Sequence, residues 1–160
     1  MIDKATLQHE LFESRRAVLM ALRGVPDEAA AASPYPGAPS LRDITAHLVA
    51  WEDRLLTVAQ MVRWGDGAKV EWLRSPAEVD AWNARAHARL AGWTWPDVLR
   101  ALALQREETD WNMADLQDSQ LTIAYHDTGS VVTVGELLYG IAQHDREHLP
   151  DLQTTRAAVT

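Results

Sequence analysis

Thr133-Val-Gly-Glu136-Leu137-Leu-Tyr-Gly-Ile141-Ala-Gln-His144-Asp-Arg-Glu147-His148-Leu-Pro150-Asp151-Leu152 decides the fold class of this chain. Thr133 with Glu136 three residues later forms a capping box, in which each side chain satisfies a backbone N–H that the first helical turn leaves free. Leu137, Ile141, His144, His148 and Leu152 then recur at the 3.6-residue period of a helix with one apolar face. Two imidazoles lie on that inward stripe, where solvent-facing histidines are not expected.

Working outward, three other long segments carry the same signature. The first starts near Asp3, repeats Leu7, Leu11, Val18 and Leu22 with Ser14 in the same row, and stops at Gly24 and Pro26. The stretch from Ala29 to Pro39 holds too many breakers for an element and is expected to be a crossing loop. Ser40 with Asp43 starts the next helix, whose stripe is Ile44, His47, Leu48, Trp51, Leu55 and Val58. It ends after Trp64 at Gly65-Asp66-Gly67. Pro76 opens a shorter helix through Val79, Trp82 and Leu90, closed by Gly92. Thr94 with Asp97 begins a fourth long helix, with Val98, Leu102, Gln105, Thr109, Met113 and Leu116 on its inward row. A brief β-like excursion is expected at Leu121–Tyr125, before a loop through Asp127 to Gly129. No sustained two-residue alternation occurs, so the fold class is all-α, a four-helix bundle with an extra short helix in one domain over residues 1–160. The long connections after the first and second helices suggest crossover topology.

Composition narrows the function. Fifteen Lys and Arg against 23 Asp and Glu give a net charge of −8, which repels a phosphate backbone and argues against nucleic acid as partner. No leader pattern and no apolar run near the roughly 20 residues of a membrane span are present, so a cytoplasmic protein without membrane contact is expected. The chain has no cysteine, which removes thiolate ligands, disulfides and a cysteine nucleophile together. Any thiol chemistry needs an external thiol.

His144 and His148, at i and i+4, can converge on one ion, and His47 can supply a third nitrogen across the gap of about 8–10 Å between packed helices. One histidine on an apolar face is usually satisfied by a backbone carbonyl. Three together impose three separate polar demands that one shared metal resolves. Three neutral nitrogens leave a divalent ion its full charge and an open position, which is a catalytic arrangement; a zinc-bound water would have a pKa of about 7. Nitrogen ligands suit Zn, Ni, Fe or Cu alike.

Ser40-Leu-Arg-Asp-Ile-Thr-Ala-His47, paired with Thr133 to His148, resembles the DinB/YfiT-like superfamily over nearly the whole chain. The resemblance implies a four-helix bundle with crossover connections that holds a divalent metal on His47, His144 and His148. Val79-Asp-Ala-Trp82-Asn83 and Gly92-Trp93-Thr94-Trp95 resemble the branch related to ClbS and DfsB proteins and to mycothiol-dependent maleylpyruvate isomerase-like proteins. That branch implies a metal-dependent hydrolase or a transferase using an external low-molecular-weight thiol, a small-molecule substrate and a homodimer. Non-catalytic sequestration of a small molecule and a metal-stiffened structural dimer are the alternatives. Pro150 departs from the pattern and is expected to disturb the helix below the ligands.

Further candidates surround this set. His144-Asp-Arg-Glu147-His148 spells the H-x-x-E-H of inverted zinc peptidases, but such enzymes resemble larger folds with a distant third ligand. Glu147 is a candidate to polarise a bound water, against a plain surface salt bridge. Asp43 and Asp151 lie within helical reach of His47 and His148 and are candidates to orient them; Asp43 also serves as helix-start charge. Trp51, Trp82, Gln105 and Thr109 are candidate pocket residues, with core packing the simpler role for the tryptophans. His9, His87 and His126 are expected to be structural or exposed.

Overall fold

Asp3 accepts a hydrogen bond from the Thr6 amide at 2.7 Å and starts the first helix, α1 (Lys4–Leu22). The computed structural model describes residues 2–127 and 129–160. After α1 come α2 (Asp27–Ala31), α3 (Leu41–Arg63), a 3-10 turn (Gly67–Lys69), α4 (Pro76–Leu90), α5 (Trp95–Ala114) and α6 (Asp118–Leu121). A hairpin of β1 (Ala124–Asp127) and β2 (Ser130–Thr133) then leads into α7 (Val134–Val159). The fold is all-α apart from this hairpin.

All three capping pairs act as their sequence demands. Ser40/Asp43, Thr94/Asp97 and Thr133/Glu136 form reciprocal boxes at the starts of α3, α5 and α7. These boxes matter because they fix where each long helix begins, and hence which residues share a turn further along.

The helices α1, α3, α5 and α7 make the bundle. Around it, α7 packs broadly on both α1 and α3, and α3 on α5, while α1 meets α5 only sparsely. The chain therefore passes diagonally from α1 to α3 and from α5 to α7. The long α3–α5 connection, which carries α4, joins neighbours instead; length reflected the inserted helix and not a crossing.

Two local expectations are corrected. The segment expected as a pure loop from Ala29 begins inside α2, because Ala29 and Ala30 are small enough to be buried against the main core. The β-like excursion falls later than Leu121–Tyr125: Leu121 closes α6 with its side chain buried, and extended backbone starts at Ala124. Pairing sets that boundary, with Ala124 opposite Thr133 and Asp127 opposite Ser130. Tyr125 stacks on Trp72 at 5.2 Å with the rings 5° apart, which ties the hairpin to the segment after the 3-10 turn.

Two apolar clusters fill the bundle. One gathers Val18, Leu41, Leu48, Trp95, Val98, Leu102 and Leu152; the other gathers Leu7, Leu11, Leu56, Met113, Leu138 and Ile141. On every main helix the residues between the two clusters are polar and buried: Ser14 and Arg15, Glu52, Arg106 and Thr109, Asp145. A charged layer thus divides the core.

Candidate metal centre

Tight packing of α3 on α7 brings the three inward histidines together. The His144 and His148 rings, one turn apart on α7, have centroids 4.6 Å apart, and the His47 ring from α3 lies 5.0 and 4.8 Å from them. One nitrogen from each lies within 4.8 Å of the other two. Among the described residues this is the one group of three or more such side chains placed to share an ion.

The donor chemistry fits a divalent cation. Burial, and then the neighbouring His148 imidazole, push His47 down to about 4 and His144 down to about 3. Both rings are therefore neutral at neutral pH, with a lone pair available. His148 places Nδ1 3.1 Å from Asp151 Oδ2. A proton on Nδ1 would satisfy that contact and leave the lone pair on Nε2, so Asp151 is placed to hold the ring orientation and that tautomer.

Aromatic groups close one side. The Trp51 ring is edge-on to His47 at 6.2 Å and lies 5.6 Å from His144, with Trp82 of α4 packed against it at 4.6 Å. Trp51 Nε1 donates to Asn83 Oδ1 at 2.9 Å, which pins the indole to α4. Arg54 lies over Trp82, 5.3 Å from the ring centroid.

The other side is open to a cavity of about 540 Å³. His47 and His148 line it together with Asp43, Ile44, Asn83 and His87. Ala38 and Pro39, from the loop before α3, complete its wall. A volume of this size suits a small organic molecule.

The remaining candidates fall in several places. Asp43 is in the cavity wall but spends one oxygen on its cap, accepting from Ser40 N at 3.0 Å and Ser40 Oγ at 2.7 Å. Glu147 is exposed. Gln105 lines a separate cavity with Val49 and Leu104, and its buried Nε2 has no partner among the described residues. Thr109 is fully buried and donates to Glu52 at 2.8 Å, so it belongs to the charged layer. His9 and His126 are exposed, the latter on β1 and not in a loop. His87 is exposed yet shares the cavity with His47 and His148. Its position between Arg85 and Arg89 disguised it as plain surface.

Sequence reasoning missed the charged layer beside the histidines. Arg15, Glu52, Arg106 and Asp145, one from each main helix, are all more than nine-tenths buried. Asp145 adjoins His144 in the chain, and Arg15 is near enough to contribute to the depressed His144 basicity. The layer thereby anchors the helix that carries two of the three imidazoles.

A bundle of this order with a histidine triad between its second and last long helices defines the class. The sequence matches the DinB superfamily over residues 10–151, and the chain belongs to that superfamily. An uncharacterised protein of Clostridium difficile 630 shares the fold with a TM-score of 0.84 at 11% identity, covering 100% of this chain and 99% of that one. An uncharacterised protein of Escherichia coli UTI89 gives 0.75 at 12%, covering 95% and 91%, and a protein of Streptococcus pneumoniae gives 0.74 at 10%, covering 98% and 90%. No curated protein matches the sequence significantly. No helix among the described residues is long and apolar enough to cross a membrane.

Proposed function

We propose that this chain is a metal-dependent enzyme acting on a small molecule, with a divalent Zn, Ni or Fe ion held by His47, His144 and His148. The observation that carries the proposal is the convergence of three imidazole nitrogens within 4.8 Å at the wall of a ligand-sized cavity. Bound there, the ion would act as a Lewis acid toward water or toward an external low-molecular-weight thiol, giving hydrolysis or thiol transfer.

The chain's own residues serve that chemistry in distinct ways. Asp151 orients the His148 ring, and Trp51 with Trp82 keeps solvent from the back of the triad. Low basicity keeps His47 and His144 from binding protons in competition with the cation. The absent cysteine side chain means that any thiol nucleophile enters as a cofactor.

A second reading, binding without turnover, draws on one observation. Glu147, the carboxylate next to His148 in sequence, is exposed and does not line the cavity, and the two acids that do, Asp43 and Asp151, each have a local partner on their own helix or cap. Cytoplasmic residence and a homodimer belong to the same proposal. Exposed Phe12, Leu19 and Met20 give α1 an apolar strip consistent with self-association.

Elemental analysis of protein purified without a metal-affinity tag tests the centre. About one equivalent of metal per chain is expected; less than about a tenth, with no uptake of added Zn, Ni or Fe, would overturn it. Product formation from candidate substrates separates turnover from sequestration.

A further inference from the structure

We infer that the cavity beside the triad selects ligands by the charge of their far end, admitting neutral or cationic small molecules and rejecting anionic ones. This inference rests on the metal reading above and assigns that site its substrate class.

Among the described residues, no Lys or Arg lines the cavity. Its carboxylates are Asp43 and Asp151, Asn83 and His87 are among its other polar side chains, and much of the remaining wall is Ala38, Pro39, Ile44 and Leu90. The shortage of cations is local: the groove between α1 and α5 carries Arg15, Arg16, Arg23 and Arg106. A carboxylate at the end of a ligand away from the triad would lose water and meet no Lys or Arg in the wall, a cost that binding must overcome.

Within the described residues, each carboxylate engages only its Oδ2 in hydrogen bonds. Asp151 uses Oδ2 on His148. Asp43 uses Oδ2 for both contacts to Ser40, and no hydrogen bond within the described residues uses its Oδ1. Asp43 also stands one helical turn before His47 on α3. A molecule held at the triad by one end therefore has its other end in reach of an uncommitted carboxylate oxygen. An ammonium or hydroxyl there finds an acceptor, whereas a carboxylate meets repulsion. A divalent cation at the histidines offsets the carboxylates overall, but that attraction acts on the atom bound to it and leaves the far end facing Asp43.

The test uses three thiols of similar size on the cobalt(II)-loaded protein: cysteamine, 2-mercaptoethanol and 3-mercaptopropionate. Sulfur-to-cobalt charge-transfer absorption reports binding, with affinities corrected for each thiol's own acidity. We expect 3-mercaptopropionate to bind at least about tenfold more weakly than cysteamine at low salt, with 2-mercaptoethanol between them. Asp43→Asn should narrow the range. Ser33→Lys, which adds a cation at the exposed rim without touching the Ser40 cap, should raise 3-mercaptopropionate affinity selectively. Equal affinities, or a preference for the anion, would overturn charge selection while leaving the metal centre standing. Failure to take up cobalt, seen beforehand in its visible spectrum, would instead overturn the metal reading and this inference with it.

Discussion

Arg15 grips Asp145 across the α1–α7 interface with two parallel hydrogen bonds, Nε to Oδ2 and Nη2 to Oδ1, each 3.1 Å. Glu52 joins from α3, 2.5 Å from Arg15 Nη2, and Arg106 from α5 lies 2.7 Å from Glu52 and 3.2 Å from Asp145. Burial alone would push the Arg15 guanidinium down, but Glu52 and then Asp145 hold it above its ordinary value. Two cations and two anions balance, and each main helix supplies one. Removing one anion strands buried charge, so Asp145→Ala should cost about 3–5 kcal/mol in urea unfolding. A loss under about 1 kcal/mol would show that water replaces the carboxylate.

That layer also marks the limit of what could be read from the chain. Helix starts were legible because a cap is a local event, settled by two side chains three residues apart, as at Thr133 and Glu136. The inward path of His47, His144 and His148 was legible because periodicity needs only one helix at a time. Arg15, Glu52, Arg106 and Asp145 each sit one residue past an inward-stripe position, about 100° around the helix, where a charge ordinarily faces water. Their partners lie 37 to 130 residues away in sequence, so only the assembled bundle pairs them. The start of the hairpin escapes a local reading for the same reason, since its register depends on β2.

Loss of a nitrogen donor and loss of its support should differ in degree. Zinc titration calorimetry is expected to find no tight binding in His144→Ala or His148→Ala. Asp151→Ala should bind about 10- to 100-fold more weakly, because the imidazole remains but its orientation and tautomer are no longer fixed. His87→Ala should retain wild-type affinity, since His87 lines the cavity but is outside the converging set. Equal losses at His87 and His144 would show that the ligand assignment is wrong.

Acid should loosen the helix starts first. The Thr6 amide holds the Asp3 carboxyl below its ordinary value, the Arg74 amide does the same for Glu78, and the Thr94 hydroxyl and amide do so for Asp97. A carboxyl whose folded value is depressed favours folding at pH above its unfolded value, 3.8 for Asp and 4.5 for Glu. That contribution is lost as pH falls from there through the lowered folded value. Urea midpoints should therefore fall from about pH 4.5 downward, and Asp97→Asn should flatten part of the slope. An unchanged slope would mean that Asp97 carries no linkage.

Pro150 removes one rung of the α7 ladder, at the Arg146 carbonyl, and leaves the His148-to-His144 rung in place. The helix runs through it to Val159, yet proline has no amide to offer the Arg146 carbonyl four residues earlier. The amide of His148 precedes Pro150 and remains available to the His144 carbonyl, so the rung that joins the two histidines is kept. The expected disturbance thus falls on the Arg146 carbonyl, between the two histidines, and on the turn after it. Pro150→Ala restores one helical hydrogen bond and relieves the ring's clash, at the expense of a freer unfolded chain worth about 0.4–1 kcal/mol. The balance should favour the variant by about 1–2 kcal/mol in urea unfolding of the metal-free protein. Zinc affinity should be unchanged. A large change in affinity with little change in stability would mean that the proline shapes the ligand turn itself.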